Sequence, residues 1–420
     1  MAERARDCIV VGGGPAGIIF AYLAARAGLK VTLLEAAKDF NRQFRGDTLN
    51  PLTLTFLEQM GLIDEVLALP HSKVDTLRAT AGGDESVELS YKRLKTKYPY
   101  VMILSQPIFL NFLVEKASAY PNFRLEMRAR VTGLIEEGGA VRGVTYKDVD
   151  GDEQSLFAPF TLGADGRASA TRKHSGLKTV NLTKRPDDVV WFNVPIEAGD
   201  PQEGLIAREN DANSVFMFRR PDEWQIGLTL LKGSYREFRE KGTDNLRREL
   251  AQLLPEFGAR LQDLDWLGTA YLKVELKRAE RWHRKGLLLI GDAAHVMSPI
   301  GGIGINLAIR DAVVAANSVL GPLSKDALRE SDLAKVQRKV AWEVRMTQGF
   351  QAFIQNSKYK DVNKIDDTII GFPKIIRDTL LSIPFVRDLP VKFLAFGLVP
   401  VRLQARPSPS LKHGRWVASD

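Results

Sequence analysis

Residues 8–35 read CIVVGGGPAGIIFAYLAARAGLKVTLLE, and the reading of this stretch decides the fold around it. Cys8 to Val11 are apolar or β-branched without interruption, the pattern of a parallel strand buried on both faces. Gly12, Gly14 and Gly17 follow at the spacing G-x-G-x-x-G, with Pro15 and Ala16 leading into a helix over 18–27. Gly28 stops that helix, and Lys30 to Leu34 predict a second strand ending at Glu35. In such a βαβ unit Gly12 permits the tight turn, Gly14 lets the backbone approach a pyrophosphate, and Gly17 lets helix and strand pack closely. The helix N-terminus supplies free amides and a favourable dipole to the pyrophosphate. Glu35 can accept hydrogen bonds from ribose hydroxyls, and its charge disfavours a 2′-phosphate in the same pocket. The stretch therefore predicts a dinucleotide site.

Composition narrows the setting. The chain has 420 residues, 45% hydrophobic and 8% aromatic, enough for two intimately packed domains. A single cysteine, Cys8, excludes an internal disulfide framework and a multi-cysteine metal site, so no metal is expected and a reducing cytoplasm is the expected home. The first residues, MAERARDCIVV, carry charges and then one strand, without an apolar signal region. No stretch approaches the roughly 18 uncharged apolar residues of a membrane span. The net charge of +8 is spread over interspersed acids and bases, and no basic run with interleaved aromatics argues for nucleic acid.

Two further strand endings extend the pattern. Phe160 to Ala164 end in Asp165-Gly166, followed by Ser169 and Arg172; Gly286 to Ile290 end in Gly291-Asp292, followed by a loop through Pro299, Gly301, Gly302 and Gly304 and a helix over 305–319. With GGGPAG and Glu35, the segments DGRASATR (165–172) and GDAAHVMSPIGGIGINLAIRD (291–311) resemble the class A FAD-dependent monooxygenases, the para-hydroxybenzoate hydroxylase family. The motifs order the chain from residue 7 to about 320.

The resemblance implies a non-covalent FAD, reduced by NADH or NADPH docking transiently, which activates O2 as a flavin C4a-hydroperoxide. It assigns Gly12, Gly14, Pro15, Ala16, Gly17 and Glu35 to the adenosine and pyrophosphate. Arg45 in FRGDTLNP and Gln106 in SQPIFLNFLVEKA match further cofactor contacts; Asp165 organises a turn near the pyrophosphate, and Asp292 offers a carboxylate to the ribityl hydroxyls. Pro299, Gly301 and Gly302 would adjoin the isoalloxazine ring, with Gly304, Ile305 and Asn306 opening the helix whose amides face it. There they would stabilise the anionic reduced ring. Arg172 fits either a structural partner or a nicotinamide-cofactor ligand. This chain departs from many relatives in carrying Asn50-Pro51 where they carry His-Pro, and it has no second dinucleotide fold.

The fold so implied is α/β: a Rossmann-like, glutathione-reductase-like FAD-binding domain from residues 5–75, 100–178 and 278–350, with an inserted antiparallel β-sheet substrate domain from 76–99 and 179–277 and a helical C-terminal region over 351–420. Alternating segments such as VVWFNVPI, SVFMFRR and EWQIGLTLL predict the sheet, with Trp191, Asn193, Phe216, Phe218 and Gln225 as candidate pocket residues. No general base stands out: His71 and His174 read as surface or satisfied core residues, and His295 as part of the cofactor loop. Two readings of the C-terminal segment stay open. It covers the substrate domain or a dimer partner, or it lies peripherally on a membrane and passes a lipophilic substrate inward. The expected activity is hydroxylation or epoxidation of an aromatic, quinone-like or polyketide-type molecule by a monomer or homodimer. The alternative is a reductase or dehydrogenase of the same fold acting on an isoprenoid or quinone.

Overall fold

The computed structural model describes residues 7–41, 47–81, 86–182, 187–201, 204–210, 213–357 and 388–408, with 368–369, 372–373, 411–412 and 415–416. Arg45 lies outside the described residues. Five strands run parallel in one sheet, in the order Leu287–Leu289, Phe160–Gly163, Cys8–Val11, Val31–Glu35, Phe123–Met127, with the antiparallel pair His283–Arg284 at one edge.

Alternation along the first strand explains why it is apolar throughout. Cys8 and Val10 join the large core beneath the helices, whereas Ile9 and Val11 pack on the opposite face. That opposite face is covered by a three-stranded antiparallel meander, Arg130–Glu137, Ala140–Lys147 and Glu153–Phe157, through Val131, Val144 and Tyr146. On the helical face, Pro15–Arg26 packs against Gln106–Ser118 and Ile303–Ser324. Its residues 16–25 are all buried, so it reads as a core helix without a polar face.

The second body is a seven-stranded sheet, ordered Ala270–Leu272, Asp188–Pro195, Glu223–Leu230, Ser214–Arg219, Leu205–Glu209, Thr76–Ala81, Ser86–Ser90. It is antiparallel except where Leu205–Glu209 runs parallel to Thr76–Ala81, because that pair is joined by a long excursion through the parallel sheet and not by a hairpin. Val190, Phe192, Val194, Ile226 and Leu228 face helix Thr243–Leu253 through Leu246 and Leu250. Val189 and Trp191, at the alternate positions, face the other way.

The C-terminal part is helical in Glu330–Ser357 and Leu389–Phe396, then extended across the molecule over 397–408. Arg310 and Glu343, each 2% exposed, form a buried ion pair between Ile303–Ser324 and Glu330–Ser357. Glu343 Oε2 also accepts from the amides of Leu398 (3.0 Å) and Val399 (3.2 Å), and Arg310 donates to Val399 O (2.8 Å). Asn317 takes up the backbone of Arg402, Gln404 and Ala405 farther along. Among the described residues no helix is long and apolar enough to cross a membrane.

Candidate functional site

One cavity of about 440 Å³ runs from the glycine loop, past the ends of the parallel strands, to the seven-stranded sheet. At the loop end it is lined by Gly12, Gly14, Pro15, Ala16 and Glu35. Gly17 does not line it: a Cβ there would overlap the Gly12 carbonyl oxygen, which is the close approach of helix to loop. At Gly14 a Cβ would meet nothing within 4 Å, so the loop leaves space where a ligand would lie. Glu35, 3% exposed, accepts from Gly13 N (2.7 Å) and Ala37 N (2.8 Å), so its carboxylate shapes the loop as well as facing the cavity.

The middle is a bracket between two turns. Asp165 accepts from the Ser169 and Thr171 hydroxyls, both at 2.6 Å, and from Thr171 N at 2.9 Å, bracing the first turn of the short helix Ala170–His174, whose cap is Ser169. Arg172 donates to the carbonyls of Asp292 (3.1 Å) and Ala293 (2.8 Å), tying the second turn to the third. Its guanidinium thus serves main-chain oxygens, and burial pulls its pKa below the ordinary arginine value. Arg167, which the sequence reading passed over, pairs with Asp292 at 3.2 Å and lines the cavity beside it. Its signal was its place directly after Asp165-Gly166.

Farther along, Pro299, Gly302, Gly304 and Ile305 line the cavity. Gly302 has φ 61° and caps helix Ile303–Ser324, which begins two residues earlier than its apolar run suggests. The first-turn amides have no intrahelical acceptor and lie at this wall. Gly301 is turned elsewhere, toward Ile303 and Leu394. Asn306 spends its side chain on the loop's own frame: Nδ2 donates to Thr48 O (2.9 Å) and Gly302 O (3.2 Å), and Oδ1 accepts from Asn50 N (2.9 Å) and Thr53 Oγ1 (2.8 Å). Asn50 in turn caps helix Pro51–Met60 and donates to Leu394 O at 3.0 Å, so the position that departs from His links this loop to the C-terminal helix.

The far wall is formed by Trp191, Phe218, Gln225 and Leu272, opposite Asp47, Gln106 and Met297. Phe216 stands behind Trp191, ring edge to face at 5.0 Å, and Asn193 is drawn to Glu223 at 2.9 Å; neither lines the cavity. Asp47, absent from the sequence reading as a site residue, is 4% exposed and ion-paired with Arg220; it also accepts from Gln106 N at 3.1 Å. Burial pushes its carboxyl above the ordinary aspartate range, against the pull of Arg220. This pair joins the segment before the short strand Thr48–Leu49 to the seven-stranded sheet.

His295, His71 and His174 stand apart from the cavity. His295, 1% exposed, pairs with buried Asp311 at 2.6 Å, whose carboxylate also receives Gly291 N at 2.9 Å; it buttresses the third turn from behind. His71 bonds Leu69 O at 2.7 Å, and His174 is exposed.

A family model described as an FAD binding domain matches residues 5–343. The chain belongs to this family of FAD-dependent monooxygenases. It is 35% identical to 6-methylpretetramide 4-monooxygenase of Streptomyces rimosus over 78% of this chain and 77% of that protein. It is 29% identical to digeranylgeranylglycerophospholipid reductase of Methanocella arvoryzae, over 87% and 89%. The crystal structure of p-nitrophenol 4-monooxygenase from Pseudomonas putida superposes with a TM-score of 0.78 at 22% identity, covering 93% of this chain and 97% of that one. For this FAD-binding family member, the cavity fits an elongated cofactor. Its open face at Gly14, its main-chain amides and the helix N-terminus at Ile303 lie along a single path.

Proposed function

We propose that this flavoprotein inserts one oxygen atom from O2 into an aromatic or polyketide-type small molecule, using electrons from NADH or NADPH. The observation that carries this reading is the continuity of one cavity from the glycine loop to an aromatic wall, so that a cofactor ring would end against a substrate-sized space. The 35% identity to 6-methylpretetramide 4-monooxygenase supports the substrate class.

FAD, when bound, supplies the electron transfer and oxygen activation. The chain's own residues do the rest. Gly12, Gly14, Pro15, Ala16 and Glu35 would hold the adenosine diphosphate part, with Arg45 as a further candidate. Asp165 and Asp292, braced by Arg172 and Arg167, would fix the turns beside it. The first-turn amides of the helix from Ile303 would favour negative charge on the ring. Trp191 and Phe218 would orient a flat substrate and exclude water. In this reading 5–75, 100–178 and 278–350 hold the cofactor, and 76–99 with 179–277 hold the substrate.

A second reading, reduction of an isoprenoid or quinone, draws on the similarity to the archaeal reductase. Turnover under 18O2 separates the two. Product bearing one 18O atom, with NAD(P)H and O2 consumed in equal amounts, is the expected result. Anaerobic conversion to a reduced, unlabelled product would overturn it.

A further inference from the structure

Two buried hydrogen-bond donors on the sheet wall lack an acceptor. Trp191 Nε1 and Gln225 Nε2 have no hydrogen-bond partner, and their residues are 6% and 2% exposed. Both residues line the cavity. An indole N–H can only donate, and a buried donor left unpaired carries a free-energy cost that an incoming acceptor removes.

The surrounding side chains are partly committed. Asn193, opposite Gln225 in register, donates its amide to Glu223 Oε1, and its own Oδ1 is buried without a donor. Glu223 is held by Arg220 at 2.6 Å, and Arg220 extends to Asp47. Gly227 is the register partner of both Trp191 and Phe216, and its missing side chain makes room for their two rings. The indole is thereby fixed against the sheet.

Among the described residues the charges near this wall are matched. Arg220, behind the lining, is divided between two carboxylates with its Nε unpartnered, Arg167 is paired with Asp292, and Asp47 brings a carboxylate to the cavity. The other described arginine of the lining, Arg130, adjoins Ala129, whose amide bonds the Glu35 carbonyl at the glycine-loop end.

We propose that Trp191 and Gln225 form a subsite for an uncharged acceptor oxygen. The chain then selects flat aromatic ketones, quinones and enolised polyketides, and discriminates against aromatic carboxylates. The inference rests on the monooxygenase reading for treating this end of the cavity as the substrate end, so its test reads binding and not oxygenation.

The FAD-loaded protein is titrated with 9-fluorenone, with fluorene, which has the same rings without oxygen, and with 9-fluorenone-4-carboxylate, following flavin absorbance. Fluorenone should bind about tenfold more tightly than either of the others. Trp191→Phe and Gln225→Leu should each weaken fluorenone binding roughly threefold to tenfold, and fluorene binding less than about twofold. Gln225→Met keeps the length and approximate volume and removes the donors without adding charge; with flavin content and melting temperature unchanged, it should show the same selective loss. Equal affinity for fluorene and fluorenone, equal losses for both in the variants, or tighter binding of the carboxylate would overturn the subsite. A separate product assay keeps the two readings apart. Selective fluorenone binding without oxygenated product counts against monooxygenation alone, and oxygenated product without that selectivity counts against the subsite alone.

Discussion

At its glycine-loop end the cavity is walled largely by glycines and small residues, through Gly12, Gly14 and the turns after the parallel strands, whereas at the seven-stranded sheet it is walled by Trp191, Phe218, Gln225 and Asp47, which Arg220 pairs from behind. Main-chain amides present the same chemistry whatever residues surround them, so the first end depends on spacing and small side chains. The second depends on which side chain stands at each alternate position and on what its neighbours leave unpaired. In the proposed reading, binding of the cofactor and choice of an individual substrate fall to different kinds of surface in one cavity.

The sharpest way to break this comparison is Gly14→Glu. Gly14 has φ −71° and ψ 178°, a conformation any residue adopts, and its Cβ direction is open. The substitution should leave the melting temperature of the cofactor-free protein unchanged while placing bulk and negative charge where a pyrophosphate would lie. Flavin retained per chain after gel filtration should fall by at least about tenfold, since like charges meet at an anion-binding helix start. Full retention of FAD by this variant would mean that the loop end is not the cofactor end.

Arg220→Met attacks the seam between the two walls. The side chains of Asp47 and Arg220 are 3% and 14% exposed, so removing the guanidinium leaves a buried carboxylate held, among the described residues, by the Gln106 amide alone. The expected cost is about 3–5 kcal/mol at neutral pH by urea unfolding. The sign of its pH dependence follows from the carboxyl. Burial already raises the folded pKa of Asp47 above its unfolded value, and losing Arg220 raises it further. A raised carboxylate pKa disfavours folding once the unfolded chain ionises, so the deficit should shrink as pH falls from 8 towards 4. A deficit independent of pH would show that the arginine acts by packing and not through Asp47.

The same contrast explains what was legible beforehand. Gly12, Gly14 and Gly17 could be assigned because a G-x-G-x-x-G loop has few physical solutions between a buried strand and a helix. The alternation in VVWFNVPI, SVFMFRR and EWQIGLTLL implied a sheet, and it brought Trp191, Phe218 and Gln225 into consideration. It could not separate them from Asn193 and Phe216, because their fates turn on Glu223 and on the space left by Gly227, contacts made across strands. Asp47 and Arg167 escaped notice for a related reason. Their partners, Arg220 and Asp292, are 173 and 125 residues away; nothing local marks Asp47, and only the place directly after Asp165-Gly166 marks Arg167.

Gly227→Ala tests the wall at its smallest scale. Gly227 is not among the positive-φ residues, so the backbone accepts alanine, and the lower entropy of the unfolded chain would by itself stabilise the variant by about 0.4–1 kcal/mol. Against this, a Cβ at 227 would lie 2.6 Å from Phe216 Cζ and 3.1 Å from Trp191 Cζ3. Overpacking of that kind costs about 1–3 kcal/mol where the neighbours cannot yield. Both rings are hemmed in, Phe216 by Phe218 at 6.1 Å and Trp191 by Phe216 at 5.0 Å, so the packing term should win. Thermal melting should show a net loss of roughly 1–2 kcal/mol, with flavin content unchanged. If Trp191 relieves the clash by tilting into the cavity, fluorenone affinity falls along with stability. A variant that melts higher than the parent would mean that the rings give way freely, and a wall that yields to one methyl group could not hold an indole N–H in place to choose between a ketone and a hydrocarbon.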